Sequence, residues 1–286
     1  MKAIKLASVF AVTAVAAAVS TTTIAAEPVF KGTAGLSYKS VDKGADSAGS
    51  EGEVNIIGDT GLVYFDLDME GDSTGSDGGF DLDEIYVKQG AVQFGDFDGS
   101  MGDDAAFSAG VEEDLDDAKE DLGTGLGIRY AVSDELTVAL EVAEGENKGA
   151  IAFNYATDVS GVTLGVSGGA SSDEHILTLG ASIPAGIATI TAFYQTGSFV
   201  DTATTDKDAS NYGLGLDLAL TEELSAAVQY YTLDGEDSAG VDRKDDGLVE
   251  ATVNYTVGDI RYFATYVDYE DKATADYSVV GAEASF

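Results

Sequence analysis

The strongest constraint on this chain is a period of two. From residue 29 to residue 286 it repeats one theme: about ten residues in which apolar positions alternate with small or polar ones, then a turn. That is the period of a β-strand with two unlike faces, and not of a helix. In YGLGLDLAL (212–220), Tyr212, Leu214, Leu216, Leu218 and Leu220 fall on one face, against Gly213, Gly215, Asp217 and Ala219 on the other. LTVALEVA (136–143) sets Leu136, Val138, Leu140 and Val142 against Thr137, Ala139, Glu141 and Ala143. Sixteen such runs are expected: 29–39, 51–58, 60–70, 80–89, 91–96, 122–131, 136–144, 149–157, 161–169, 174–183, 187–197, 210–220, 224–234, 246–257, 259–269 and 276–286. The number is even, and the connectors alternate in kind. Short ones fall near Gly58-Asp59, Gln89-Gly90, Ser133-Asp134, Val159-Ser160, Pro184-Ala185, Thr221-Glu222 and Gly258-Asp259, with longer polar ones such as 40–50, 71–79, 198–209 and 235–245 between them.

A soluble β-sandwich would show the same period. Two features point instead to a closed transmembrane barrel with a short-turn rim and a long-loop rim. The second face is rich in Gly, Ala, Ser and Thr with a few charges, which suits the wall of a wide lumen. Aromatic residues sit at both ends of the apolar face: Phe30, Tyr130, Tyr155, Tyr255, Tyr262 and Phe286 beside the short turns, Tyr38, Tyr194, Tyr212, Tyr230 and Tyr266 toward the long loops. Two such belts a membrane apart are the girdles expected at headgroup level. The 35 Gly and 2 Pro suit tight turns and uninterrupted strands. At the N-terminus, Lys2 and Lys5 precede an apolar stretch (6–19) too short to span a bilayer, and small residues run to Ala25-Ala26. A secretory signal peptide is expected over 1–26 and the barrel over 27–286.

Setting aside Lys2 and Lys5 leaves 12 basic residues against 52 acidic ones, a net charge of about −40. That excludes nucleic acid as a partner. With 44% hydrophobic residues the chain is no disordered polyanion, so acid and oil must be segregated in space. The absence of Cys excludes a disulfide framework and thiolate chemistry. His175, the single histidine, reads as a surface residue and precludes a His-based metal cluster. No nucleophile–base–acid set can be assembled, so neither an enzymatic role nor a cofactor nor a dedicated metal site is expected. The carboxylate-rich stretches DLDMEGDSTGSD (66–77) and DGEDSAGVDRKDD (234–246) read as loops offering oxygen ligands for weak divalent binding at the surface.

One long break interrupts the rhythm: DFDGSMGDDAAFSAGVEEDLDDAKED (96–121), with eleven acidic residues against Lys119. A run of like charges alone is an ordinary solvated loop. Its place directly after the fifth run is what sets it apart.

With these features the chain resembles the general bacterial porins of Gram-negative outer membranes, mainly as architecture. The terminal strand DYSVVGAEASF (276–286) ends in Phe286, with Val280, Ala282 and Ala284 on the same face. DEIYVKQGAVQFGDFDG (83–99) is similar to the family's fourth and fifth strands with their tight Gly turn. The long acidic loop then follows, where porins place the loop that folds inward. The resemblance implies an all-β, sixteen-stranded antiparallel transmembrane barrel in the cell outer membrane. Its constriction would be lined by Asp96, Asp98, Asp103, Asp104, Glu112, Glu113, Asp114, Asp116 and Asp117. It also implies a general diffusion pore for small hydrophilic solutes and ions, a homotrimer in outer-membrane lipid, and Phe286 as the signal read by the barrel-assembly machinery. By parity along the strands, Lys31, Lys39, Lys88, Arg129, Glu141, Asp217, Glu250 and Arg261 face the lumen, with Glu53 and Glu283. The family opposes its inward loop with a basic cluster. Here only Arg129, Arg243 and Arg261 are available as arginines, so a negative, cation-preferring bore is expected. A barrel plugged by its own loop, serving adhesion or envelope structure, is the alternative, and a secreted acidic solenoid is a third reading.

Overall fold

The structure, a computed structural model, describes residues 28–72, 79–101, 122–142, 149–172, 174–200, 206–234, 246–270 and 276–286. Among these residues there are sixteen strands and no helix. They are β1 (Val29–Val41), β2 (Ser47–Asp59), β3 (Val63–Asp72), β4 (Gly79–Gln89), β5 (Val92–Asp96), β6 (Gly127–Ala131), β7 (Leu136–Val142) and β8 (Gly149–Val159). The second half comprises β9 (Val162–Ala170), β10 (His175–Ala185), β11 (Ala188–Val200), β12 (Asp206–Ala219), β13 (Leu224–Asp234), β14 (Asp246–Val257), β15 (Ile260–Tyr269) and β16 (Tyr277–Ser285). Each strand pairs antiparallel with its neighbours in sequence, and β1 pairs with β16 to close the barrel. The expected run 1–26 lies outside the described residues.

All sixteen expected runs correspond to strands. The sixth is the one that differs in substance: a strand was expected over 122–131, and β6 begins only at Gly127. Residues 122–125 instead turn along the inside of the wall, where Leu122, Gly123 and Gly125 are buried. Gly125 takes φ +70°, and a Cβ there would come within 2.1 Å of the Phe97 carbonyl oxygen, so only glycine fits. Stretch 66–77, read from sequence as a loop, belongs to β3 up to Asp72. The remaining acidic loop read from sequence, 234–246, lies largely outside the described residues.

The alternation sorts the side chains as a membrane requires. Leu36, Leu140, Ile151, Leu214, Val253 and Val280 stand exposed on the outer face. The aromatic belts project from the same face. Tyr255 pairs with Tyr262 near the short turns, and Tyr194 with Tyr212 toward the long loops. Toward the long loops, Asp46 ties the first connector to β1. Its carboxylate accepts bonds from the Tyr38 and Ser40 hydroxyls at 2.8 and 2.9 Å, which hold its pKa below the usual carboxylate value.

Closure depends on the pairing of the first and last strands. Gly32 and Phe286 exchange backbone hydrogen bonds, each 3.0 Å long. The Phe286 ring lies over Gly32, where an added Cβ would meet it at 2.6 Å. Deleting Phe286, or replacing it with Asp, is expected to cut the yield of heat-modifiable barrel severalfold. A charge near the interface costs only about 0–1 kcal/mol directly, so most of the loss reflects failed closure and recognition. Gly32→Val is expected to destabilise the barrel by about 1–3 kcal/mol through overpacking, read as earlier loss of the folded band on heating. Wild-type yield and heat stability in these variants would contradict the role given to this contact.

Candidate functional site

Cross-strand partners share a face, so the register assigns the inner wall residue by residue. On β1 it carries Lys31, Thr33, Gly35, Ser37 and Lys39, and on β2 Glu51, Glu53 and Asn55, which pair with one another as Lys31–Asn55, Thr33–Glu53 and Gly35–Glu51. Opposite them on β3 stand Asp68 and Glu70, partners of Asn55 and Glu53. In β4 a β-bulge shifts the register: Asp66 pairs with Glu84, the next pair is Leu67–Leu82, and Asp83 is the extra residue. The shift keeps Leu82 and Ile85 both on the apolar outer face while Asp83 and Glu84 both point inward. Asp66, Asp68 and Asp83 converge, with one oxygen of each within 4.8 Å of the others. The Asn55 amide donates to Asp68, and Asp66 Oδ1 is shielded without a hydrogen-bond partner. Oxygen-only clusters of this kind favour hard cations.

The lumenal basic groups are mostly occupied by partners of their own. Lys88 Nζ lies 2.8 Å from Asp59 and 5.0 Å above the Tyr64 ring. Lys39 sits 3.4 Å over Tyr277, and Arg261 Nη2 lies 3.2 Å from Glu283. The carboxylates of β2–β4 are left in excess over them. Asp217 is half-buried on the inner face of β12, and Glu250 is buried on β14, where the Thr252 hydroxyl donates to it at 3.4 Å.

Directly after β5 the chain turns into the barrel. Phe97 is buried and stacks on Tyr86 at 4.8 Å, and Tyr86 stacks on Tyr64 at 4.9 Å. The Arg129 guanidinium lies 4.2 Å over the Phe97 ring and donates to the Gly99 carbonyl at 3.0 Å. Glu141, wholly buried on the inner face of β7, is the anchor. It accepts bonds from Ser100 Oγ at 2.5 Å and Met101 N at 2.9 Å, with Arg129 at 4.0 Å. On the returning side, a Cβ at Gly123 would meet Glu141 Oε2 at 2.5 Å, so that limb passes against the same carboxylate. Met101 packs with Ala139 and Ala152, and Leu122 with Ala150 and Ile176, all on the inner wall. Both limbs therefore leave from inside the barrel.

Of the expected constriction residues, Asp103, Asp104, Glu112, Glu113, Asp114, Asp116 and Asp117 lie outside the described residues. Asp98 is described: its backbone N–H donates to Glu84 Oε1 at 3.3 Å, so it joins the acidic wall. Asp96 does not; it is exposed and pairs with Ile85, on the outward parity of β5. The eight expected wall residues, Lys31, Lys39, Lys88, Arg129, Glu141, Asp217, Glu250 and Arg261, all stand at inward positions. Sequence reasoning missed the larger group, Asp66, Asp68, Glu70, Asp81, Asp83 and Glu84. The signal was present in the alternation of Asp66, Asp68 and Glu70 with Leu67 and Met69 within the expected 60–70 strand, but the overlapping reading of 66–77 as a loop kept these residues off the wall. Also unexpected is an apolar cluster on the inside: Tyr231, Leu248, Val267, Tyr277 and Val279 pack together on the inner faces of β13–β16. His175 is exposed, its Nδ1 3.0 Å from Ser198 Oγ. A groove of about 680 Å³ lined by outward-facing Ile128, Leu140, Ile151 and Phe153 and by Ala139, Ala152 and Ile176 of the inner wall suits hydrocarbon, not a polar ligand.

No protein-family model and no curated protein matches the sequence. Solved structures do match in fold. The trimer form of OmpT, an outer membrane protein of Vibrio cholerae, superposes with TM-score 0.63 at 14% identity, covering 91% of this chain and 99% of that one. Salmonella typhi OmpF, solved with daunomycin, gives 0.61 at 13% identity, covering 91% and 97%. A double mutant of the Rh. blastica porin gives 0.60 at 14% identity, covering 91% and 100%. The chain thus has a porin-like barrel fold.

The anchor yields a direct test. Glu141→Ala leaves the Ser100 hydroxyl and Met101 N–H without their acceptor and Arg129 without its carboxylate. Each orphaned buried group costs about 1–3 kcal/mol. The variant is expected to form a barrel whose 97–125 region is cut faster by protease and whose open-channel current is noisier. Unchanged cleavage and noise would show that Glu141 does not hold the limbs.

Proposed function

We propose that this protein is an outer-membrane diffusion pore for small hydrophilic solutes, with a preference for cations. The observation that carries the reading is the pairing of an apolar outer face with an inner wall bearing uncompensated carboxylates within one closed sixteen-stranded sheet. An outer face of this kind has its counterpart in lipid hydrocarbon, and a charged inner wall has its counterpart in water and ions. The fold likeness to outer-membrane proteins and porins supports the location and the passive, non-enzymatic role. The trimer form of the Vibrio cholerae protein supports a homotrimer. On this reading 1–26 is cleaved on export, the barrel-assembly machinery inserts 27–286, and Phe286 is part of what it recognises.

The acidic segment 96–121 folds into the bore in this proposal, supported by the inward departure of both flanks at Phe97–Met101 and Leu122–Gly125. Its seven acidic residues among the expected constriction set, Asp103 to Asp117, would then act where field lines are focused by low-dielectric walls. On the outer rim, salt would screen them over about 8 Å. The plugged alternative draws on a specific observation, the burial of the inner faces from β7 to β16. It predicts a sealed barrel.

Reversal potentials across a planar bilayer in a KCl gradient separate the readings. The wild-type protein is expected to show the cation sign, weakening as total salt rises. Changing Glu112, Glu113, Asp114, Asp116 and Asp117 to their amides is expected to lower the cation preference and leave the barrel folded. An unchanged potential would put that segment outside the bore. An anion-selective wild type would overturn the electrostatic argument itself, and a barrel that passes no current would favour the plug.

A further inference from the structure

The inner wall is open to solvent on one side only. No described inner-facing residue of β1–β4 is buried; Lys31, Glu51, Glu70 and Asp81 are exposed, and Ser37, Glu53 and Asp68 are half-buried. Across the barrel the pattern inverts. Each of β7–β16 carries at least two buried residues on its inner face. Ser167 and Thr178 are 0% exposed, Thr252 is 1% and Val267 is 0%. The difference is one of access, and it is independent of charge. Side chains of the same small polar kind are wetted at Thr33 and Ser37 and closed off at Ser167, Thr178 and Thr252.

We infer that the water path is eccentric, a lane along the inner face of β1–β4 instead of a passage centred on the barrel axis. This rests on the pore reading and narrows it to a substrate class. The lane is the sector where the strand carboxylates lie, including the convergent Asp66, Asp68 and Asp83. Three of the cations that could offset them are turned to other partners, Lys88 to Asp59, Arg129 to the chain after β5 and Arg261 to Glu283. Lys31 stands exposed in the lane itself and is outnumbered by its carboxylates. A solute confined to the lane passes within a few ångströms of these carboxylates with little room to move away. The favoured solutes are therefore small cations, and those with several positive charges, such as linear polyamines, are retained longest. Selectivity would be seated in the strands as well as in the acidic segment, so it would persist in part when that segment is neutralised.

The absence of cysteine makes the inference directly testable. Single variants Ser37→Cys and Asp81→Cys probe the lane, and Thr178→Cys and Thr252→Cys probe the covered wall. Each is assembled in liposomes, checked for heat-modifiable barrel, and treated with cationic or anionic methanethiosulfonate, with mass shift and current both recorded. The lane positions are expected to be modified, at least tenfold faster by the cationic reagent, with a drop in current. The wall positions are expected to stay unmodified under the same conditions. Equal modification at Thr178 or Thr252 would overturn the eccentric path. A parent barrel that passes no current would instead defeat the pore reading, while the mass shifts would still report which wall is wetted. For the substrate class, spermidine added to one side is expected to reduce the current. Replacing Asp66, Asp68 and Asp83 together with Asn is expected to weaken that block at least tenfold, and an unchanged block would remove the lane carboxylates from the argument.

Discussion

Backbone hydrogen bonding in lipid is the constraint on which the rest of this structure depends. A strand in hydrocarbon has no water to satisfy its N–H and C=O groups, so a sheet must close on itself. Here closure falls to the first and last strands, β1 and β16. Gly32 and Phe286 exchange both backbone bonds, and the missing Cβ of Gly32 is what lets the terminal ring come this close to β1. Once the sheet is closed, the two faces of every strand have unlike surroundings, and the period of two becomes a sorting rule. Leu36, Leu140, Leu214 and Tyr255 go to the lipid, and Glu53, Asp68, Ser167 and Thr252 go inside.

The inside is not uniform, and its asymmetry follows from particular residues. Between β3 and β4, one extra residue in the bulge brings Asp83 beside Asp66 and Asp68 without placing Leu82 or Ile85 in water. On β13–β15, Tyr231, Leu248 and Val267 turn apolar side chains inward and pack into a small core. Glu141 on β7 accepts from Ser100 and Met101 of the segment that leaves the wall after β5, and Gly123 of the returning limb passes against the same carboxylate. A buried carboxylate is costly unless its acceptor positions are filled. Those of Glu141 are filled by Ser100, Met101 and the nearby Arg129.

Much of this architecture was legible in the sequence because a strand's period is local. Runs such as 212–220 and 224–234 need no knowledge of their neighbours to be read as two-faced. The departures arise where a distant contact overrides the local pattern. Leu122–Gly125 looks like the start of β6, but it is drawn against Glu141 and β7, with Thr124 N bonded to the Val142 carbonyl at 2.9 Å. The bulge at Asp83 breaks strict alternation by one residue and left no mark stronger than two adjacent acids. Lumen-facing positions were assignable by parity; which of them are wetted was not, since access depends on what packs across the bore. The same limit explains why parity placed Lys39 and Lys88 in the lumen without showing that Lys39 lies over Tyr277 and Lys88 over Tyr64, each on an adjacent strand.

As a pore, this closed sheet must enclose a continuous water path. Single-channel recording of the refolded protein in a planar bilayer tests that most directly. Discrete conductance steps whose size grows with salt concentration are expected, with closure in thirds if the pores assemble as a trimer. Heat-modifiable, correctly inserted barrels that never give a stable step would contradict it.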